Sequence, residues 1–280
     1  MKTFWLGGVA ALAIMASSAG QAHAADLPAA APAYKAPAVV PSPAFNWSGF
    51  YVGGNIGYGW SSNGDGVRFT DFPAGSFANT FAIGQTPRAV GFSPKGVIGG
   101  AEAGFNWQTS ALVLGVETVI SGARIKDSGT FVFTGPSLLG APETTTASSS
   151  LDWLATVRGR IGFTPTDRLL VFGTGGVAFG QVNNQMSIIA SNPPGFPVFV
   201  ATLNGSQNST RTGWAAGAGV QYAVTNNLFA KVEWLHYDLG TSSITSPEIL
   251  NGATQPFGLI SNIKTNGNIA RFGMDYKFGG

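Results

Sequence analysis

The chain has 280 residues, with 40 glycines, 20 phenylalanines, 7 tryptophans and no cysteine, and only 10% of its residues are charged. A soluble domain carries roughly 25% charged residues, so this composition suits a watery surface poorly, and a net charge of +2 gives no basis for nucleic-acid binding. The lack of cysteine excludes disulfides and thiolate metal sites, and beyond the N-terminus no apolar run is long enough for a membrane helix.

Residues 1–24 read as a secretory signal. Lys2 precedes an apolar run from Phe4 to about Ala16, and Ala22-His23-Ala24 offers an A-x-A cleavage site between Ala24 and Ala25. Residues 25–45 form an Ala/Pro-rich linker (Pro28, Pro32, Pro37, Pro41, Pro43) that cannot enter a sheet interior and is expected to lie in the periplasm. Residues 46–280 make up the third unit.

That unit divides into eight segments of period-two alternation, in which successive side chains point to opposite faces of a strand. The first, about Gly49 to Trp60, sets Phe50, Val52, Ile56, Tyr58 and Trp60 on one face. The second, Val97 to Trp107, opposes Phe105 and Trp107 to Glu102 and Asn106; the third, Leu112 to Ser121, opposes Leu114, Val116 and Ile120 to Glu117. In the fourth, Leu151 to Phe163, the odd positions are apolar or small while the even ones include Asp152, Thr156, Arg158 and Arg160. The fifth, Leu169 to Phe179, is Gly-rich, and the sixth, Gly213 to Tyr222, carries Trp214, Val220 and Tyr222. The seventh, Leu228 to Tyr237, opposes Val232 and Trp234 to Lys231 and Glu233; the eighth, Ile269 to Phe278, opposes Phe272, Met274, Tyr276 and Phe278 to Arg271, Asp275 and Lys277.

The gaps follow a rule. Strands two and three, four and five, and six and seven are joined by short links such as Thr164-Pro165-Thr166-Asp167 and Thr225-Asn226-Asn227, whereas the other four gaps are long and rich in Ser, Thr, Asn, Gly and Pro. Short periplasmic turns, four long extracellular loops and an even strand number are the grammar of a transmembrane β-barrel with both termini in the periplasm. Phe50, Trp107, Phe163, Tyr222 and Phe278 then fall at one end of the outer face, and Trp60, Trp153, Trp214 and Trp234 near the other, as two interfacial aromatic girdles would. A soluble eight-stranded barrel shares the alternation, but neither the loop rule nor the low charge. The expectation is an all-β, eight-stranded antiparallel transmembrane barrel.

Ten charges are expected inside: Glu102, Glu117, Asp152, Glu233 and Asp275 against Arg158, Arg160, Lys231, Arg271 and Lys277. The lumen of a small barrel is just wide enough for side chains to fill it, and buried ions must pair. They are expected to form a plugging network; a narrow pore whose ion pairs rearrange is the alternative.

Several stretches resemble one family. Trp153-Leu154-Ala155-Thr156-Val157-Arg158-Gly159-Arg160-Ile161-Gly162, Gly173-Thr174-Gly175-Gly176-Val177-Ala178, Thr212-Gly213-Trp214, Lys231-Val232-Glu233-Trp234, Tyr237-Asp238-Leu239-Gly240, the opening Trp47-Ser48-Gly49-Phe50-Tyr51-Val52-Gly53 and the closing Arg271 to Phe278 are similar to the small outer-membrane surface-antigen barrels of alphaproteobacteria. The resemblance covers about residues 46–280. It implies an eight-stranded OmpA-like barrel abundant in the bacterial outer membrane, with surface-exposed loops, and does not imply an enzyme activity; outer-membrane lipid and lipopolysaccharide are the expected surroundings. It further implies that Tyr276 and Phe278 are read by the outer-membrane assembly machinery, although Gly279 and Gly280 follow the aromatic that commonly ends such chains. It also raises crosslinking of Ala25 to peptidoglycan, toward which a linker of roughly 60 Å, at about 3.1 Å per residue, would reach.

Other chemistry is thin. The run Gly173 to Gly180 lacks the Lys-Ser/Thr and helix of a phosphate loop. His236, the one histidine left after signal cleavage, cannot build a His-cluster metal site. It shares a face with Asp238 but has no Ser at a recognisable spacing, and reads as a rim residue. No cofactor, metal or catalytic group is expected, and a monomer is. The expected function is a structural, surface-exposed role in envelope integrity; a small-solute pore and a loop-mediated adhesin or ligand-binding protein are the alternatives.

Overall fold

The structure, a computed structural model, describes residues 45–62, 66–135, 142–191 and 200–278. The signal segment, Ala24, Ala25, the linker up to residue 44, and Gly279 and Gly280 lie outside the described residues.

The elements in chain order are β1 (Gly49–Ser61), β2 (Val67–Phe72), α1 (Ala78–Ala82), β3 (Ala89–Val90), β4 (Lys95–Thr109), β5 (Leu112–Phe133), β6 (Glu143–Thr166), β7 (Leu169–Ser191), β8 (Val200–Ala223), β9 (Leu228–Leu250) and β10 (Ala253–Phe278). β1 and β4 to β10 pair antiparallel with their neighbours, and β1 also pairs with β10, from Phe50 opposite Phe278 to Ser61 opposite Gly267. The ring of eight is therefore closed at the level of β1, with no free edge there; above it β8 and β9 part after Trp214 and pair again at Thr202 and Ala201. β2 and β3 are additional: β2 lies along the upper part of β10, from Val67 opposite Ile263 to Phe72 opposite Gly258.

Each expected strand is present, but three of the four expected long loops are mostly strand. β5 to β10 are 22 to 26 residues long and run well past the aromatic girdle. The first gap holds β2, α1 and β3. The reason is a change of phase. Below the girdle of Trp60, Trp153, Trp214 and Trp234 the wall is apolar outside; Val157, Ile161 and Phe163 of β6 are about half exposed while Arg158 and Arg160 are buried. Above it the same strands turn hydroxyls and amides outward, as with Thr144, Thr146, Ser148 and Ser150 on β6, and bury Ala147, Met186, Ile188, Leu203 and Ile244. Ser/Thr/Asn-rich alternation with its apolar face inward is ordinary strand grammar in water.

One end of the barrel (the turn end) has the short links; the other (the hairpin end) has the long extensions. The inner residues of β9 step through the layers that fill the barrel. Phe229 packs with Phe45, Trp47, Tyr51, Leu170 and Phe172 at the turn end. Lys231 and Glu233 lie in an ionic layer. Leu235, Tyr237 and Leu239 join Ile98, Ile125, Leu154 and Ile269. Ile244 joins Val67, Phe69, Phe77, Phe81, Val90 and Phe92, so the first gap folds back as a stopper under the hairpins. A cavity of about 20 Å³ bordered by Ile125, Leu151, Tyr237 and Asn266 lies between the two upper layers, about the space one water needs.

Candidate functional site

The ionic layer is built from inward-facing positions on seven strands, with its charges on five of them, β4, β5, β6, β9 and β10. Glu117 of β5 is its centre. Its Oε2 accepts hydrogen bonds from Lys231 Nζ and from the Tyr51 hydroxyl, each at 2.8 Å, and its Oε1 accepts one from Arg158 Nη2. Arg158 extends its other nitrogen to Glu233 Oε1 at 2.5 Å, and Glu233 Oε2 accepts from Arg271 Nε at 2.7 Å. Lys231 also reaches Glu102 Oε1 at 2.7 Å, whose second oxygen accepts from Asn55 Nδ2 at 3.0 Å. A side branch runs from Arg160 Nη2 to Gln221 Oε1 at 2.9 Å and from Gln221 Nε2 to Asp275 Oδ2 at 2.9 Å. Arg160 donates to the Tyr51 hydroxyl at 2.8 Å and lies 4.1 Å from the Phe172 ring centroid, a cation–π contact.

The charged residues among them are 6% exposed or less, and four acids face four bases. Each guanidinium or ammonium contacts at least one carboxylate or amide oxygen of another strand. Removing ions from water is costly unless geometry and hydrogen bonds compensate; here chelated pairs on different strands tie opposite walls together. Close approach depends on missing side chains. A Cβ on Gly53 would sit 2.0 Å from Asp275 Oδ1, and one on Gly104 would sit 2.4 Å from the Tyr51 ring. Small residues thus stand where the neighbouring strand inserts a large polar group.

Two of the ten expected interior charges lie elsewhere. Asp152 is exposed on the outer face, where it accepts hydrogen bonds from Ser150 Oγ and Asn183 Nδ2. The cause is a bulge: Val182 pairs with Leu151 and Gln181 with Trp153, leaving Asp152 as the extra residue. A bulge inserts one residue and shifts the phase of the strand above it, so Leu151, expected outside, is buried instead. Lys277 is buried but belongs to the turn end, where its Nζ meets the Asn46 carbonyl and lies 4.8 Å from the Phe45 ring.

The interior set expected from the sequence left out Tyr51, Asn55 and Gln221, which join the charges together. Their inward parity was visible, but neutral polar residues on a mixed face carry no charge to attract notice. It also omitted Trp47, fully buried in the turn-end layer with its amide on Gln108 Oε1 at 2.7 Å. Tyr276 and Phe278 sit on the outer face, about half exposed, with ring centroids 5.2 Å apart. His236 faces outward below Asp238, with Nδ1 3.0 Å from Asn268 Oδ1 and its ring 5.4 Å from that of Trp214. Among the described residues there is no group of three His, Cys, Asp or Glu side chains able to hold a metal.

A second polar cluster holds the stopper. Glu143, at the start of β6, is 5% exposed and accepts hydrogen bonds from Gln85 Nε2 and Thr86 Oγ1, each at 3.4 Å, on the segment after α1. Burial pushes its carboxyl up to about 7; Thr86 and Gln85 pull against that, and the nearby Glu248 carboxylate adds to it.

Comparison with known proteins gives a consistent picture. The family profile described as outer membrane protein beta-barrel domain matches residues 9–278. The 31 kDa outer-membrane immunogenic protein of Brucella melitensis is 32% identical over 99% of this chain and 100% of its own length. The 22 kDa outer membrane protein of Rhizobium leguminosarum is 27% identical over 70% of this chain and 66% of its own. Among solved structures, OprG from Pseudomonas aeruginosa aligns over 83% of this chain and 97% of its own, with 12% identity and a TM-score of 0.41.

Proposed function

Because the chain belongs to the outer-membrane β-barrel protein family, we propose that it works as a closed, non-enzymatic barrel that stiffens the membrane and displays its hairpins outward. The observation that carries this reading is the filled lumen. The Glu117–Arg158–Glu233–Arg271 chain spans the barrel from wall to wall and is sealed by apolar layers on both sides. A solute path would have to break buried ion pairs and leave charges without partners, which is strongly unfavourable.

Placing the hairpin end outside the cell accords with its polar outer surface and with the short links at the opposite end. The name of the Brucella relative, an immunogenic protein, fits a surface display of this kind. Planar-bilayer recording tests the closed-barrel reading: the wild type should give no discrete conductance steps, and steps of constant size would overturn it. Orientation has a separate test, since the chain has no cysteine of its own. Ser148→Cys should react with a membrane-impermeant maleimide on intact cells, and protection there with reaction only after lysis would reverse the assignment.

A further inference from the structure

Three cations lie together on the outer wall just above the hairpin-end girdle. Lys95 of β4 is the direct partner of Lys126 on β5, and on its other side it is the partner of Trp60. Arg124 is two residues from Lys126 on the same face, with Ile125 between them buried. All three side chains are exposed. Trp153 of the girdle is paired with Gly122, so Arg124 stands only about 7 Å along the strand above it. The cluster is therefore at the depth where acyl chains give way to headgroups.

Its electrostatics are unfavourable as the protein stands. Like charges directly opposite on one face of an antiparallel pair repel, and none of the three makes an ion pair or side-chain hydrogen bond among the described residues. Two acids lie near. Asp127 accepts from the Ser93 backbone amide at 2.8 Å, and Asp152, which shares a shallow groove with Arg124, is bonded to Ser150 and Asn183. Elsewhere at this level Lys264 is paired with Asp238 at 3.2 Å. Side chains directly opposite on a strand pair are close enough for both ammonium groups to reach one anion, and a guanidinium adds a planar fork suited to phosphate.

We infer that Lys95, Arg124 and Lys126 form a binding site for the phosphate of an outer-leaflet glycolipid headgroup, with Trp60 against the adjoining lipid. The membrane source is favoured over a free ion because the site continues the lipid-facing belt without a break. The inference rests on the outward placement of the hairpin end; vesicles with the lipid in both leaflets test the headgroup contact independently of it, and the maleimide experiment tests the placement.

The full chain is reconstituted in phosphatidylcholine bilayers doped with bisphosphorylated lipid A, re-extracted, and examined by native mass spectrometry for retained lipid. Heat-modifiable migration first verifies that each variant is folded. Lys95→Gln with Lys126→Gln should retain about twenty-fivefold less lipid A than wild type, each surface cation contributing about fivefold, while Lys264→Gln retains it normally. The thermal midpoint gives a second readout. In phosphate-free detergent Lys126→Gln should be as stable as wild type or more so, because it relieves repulsion; in lipid A it should be less stable. Equal retention by the double variant, equal retention of a dephosphorylated lipid, an equal loss in Lys264→Gln, or equal stabilisation by inorganic phosphate alone would each overturn the inference.

Discussion

The same strands pass through two environments and obey opposite rules in them. Between the girdles, β6 turns Val157 and Ile161 outward and buries Arg158 and Arg160; past the girdle it turns Ser148 and Thr146 outward and buries Ala147 and Leu151. The lower region is held by ions, the upper by an ordinary apolar core. The polarity inverts within single continuous strands, and on β6 the inversion falls at the Asp152 bulge, where the ladders to both neighbours shift register; alternation itself is independent of which face is wet. The solvent outside decides what each face must be.

The largest effect should come from breaking the ionic layer. Arg158→Ala leaves Glu117 and Glu233 with fewer partners in the sealed lumen, and should cost about 3–5 kcal/mol, read as a fall in the urea midpoint of refolding into bilayers. Next comes a pair that contrasts the two outer surfaces. Val157→Arg should cost about 2–4 kcal/mol in lipid and Ser148→Arg no more than about 0.5 kcal/mol; equal costs would erase the distinction. Third, Met186→Ala in the hairpin-end core should lose about 2–3 kcal/mol locally, so hairpins are cleaved faster by protease while heat-modifiable migration is unchanged. The smallest effect is pH-dependent. The Glu143 carboxyl sits above its unfolded value of 4.5 at about 7, so the stability that it adds to the stopper is full below the unfolded value and is lost as pH rises through the folded one. Amide protection factors in residues 66–94, that is, exchange corrected for its intrinsic acceleration by hydroxide, should fall about tenfold between mildly acidic and mildly alkaline pH, which is roughly one pKa unit of linkage. Glu143→Gln should flatten that profile.

The lower region was legible because lipid imposes a severe code. Trp153-x-x-Thr156-x-Arg158-x-Arg160 states outward and inward positions in one line, and the girdle aromatics mark its ends. The upper region was not, because Thr144 to Ser150 carry no outward apolar residue and look like loop. The inward apolar residues that identify the extensions are spread over hairpins and complemented by Phe77 and Phe81 from a distant segment. The assignment of Asp152 failed for a narrower reason. Strict alternation was carried through a bulge that only the pairing of β6 with β7 exposes. The partners of the charges were hidden for yet another, since which carboxylate meets which guanidinium depends on barrel closure and not on any one strand.

Closure also has a history in time. The seam joins the first strand to the last, and Lys277 reaches across it to Asn46, 231 residues earlier. Contacts so distant in the chain are slow to form, and until they do, Tyr51 and Asn55 are absent from Glu117 and Glu102. An incomplete barrel is thus an open, hydrated trough with its carboxylates still in water, and drying of the lumen coincides with the arrival of β1. The ionic layer is complete only when the seam is closed, and that makes an unfinished barrel chemically different from a finished one.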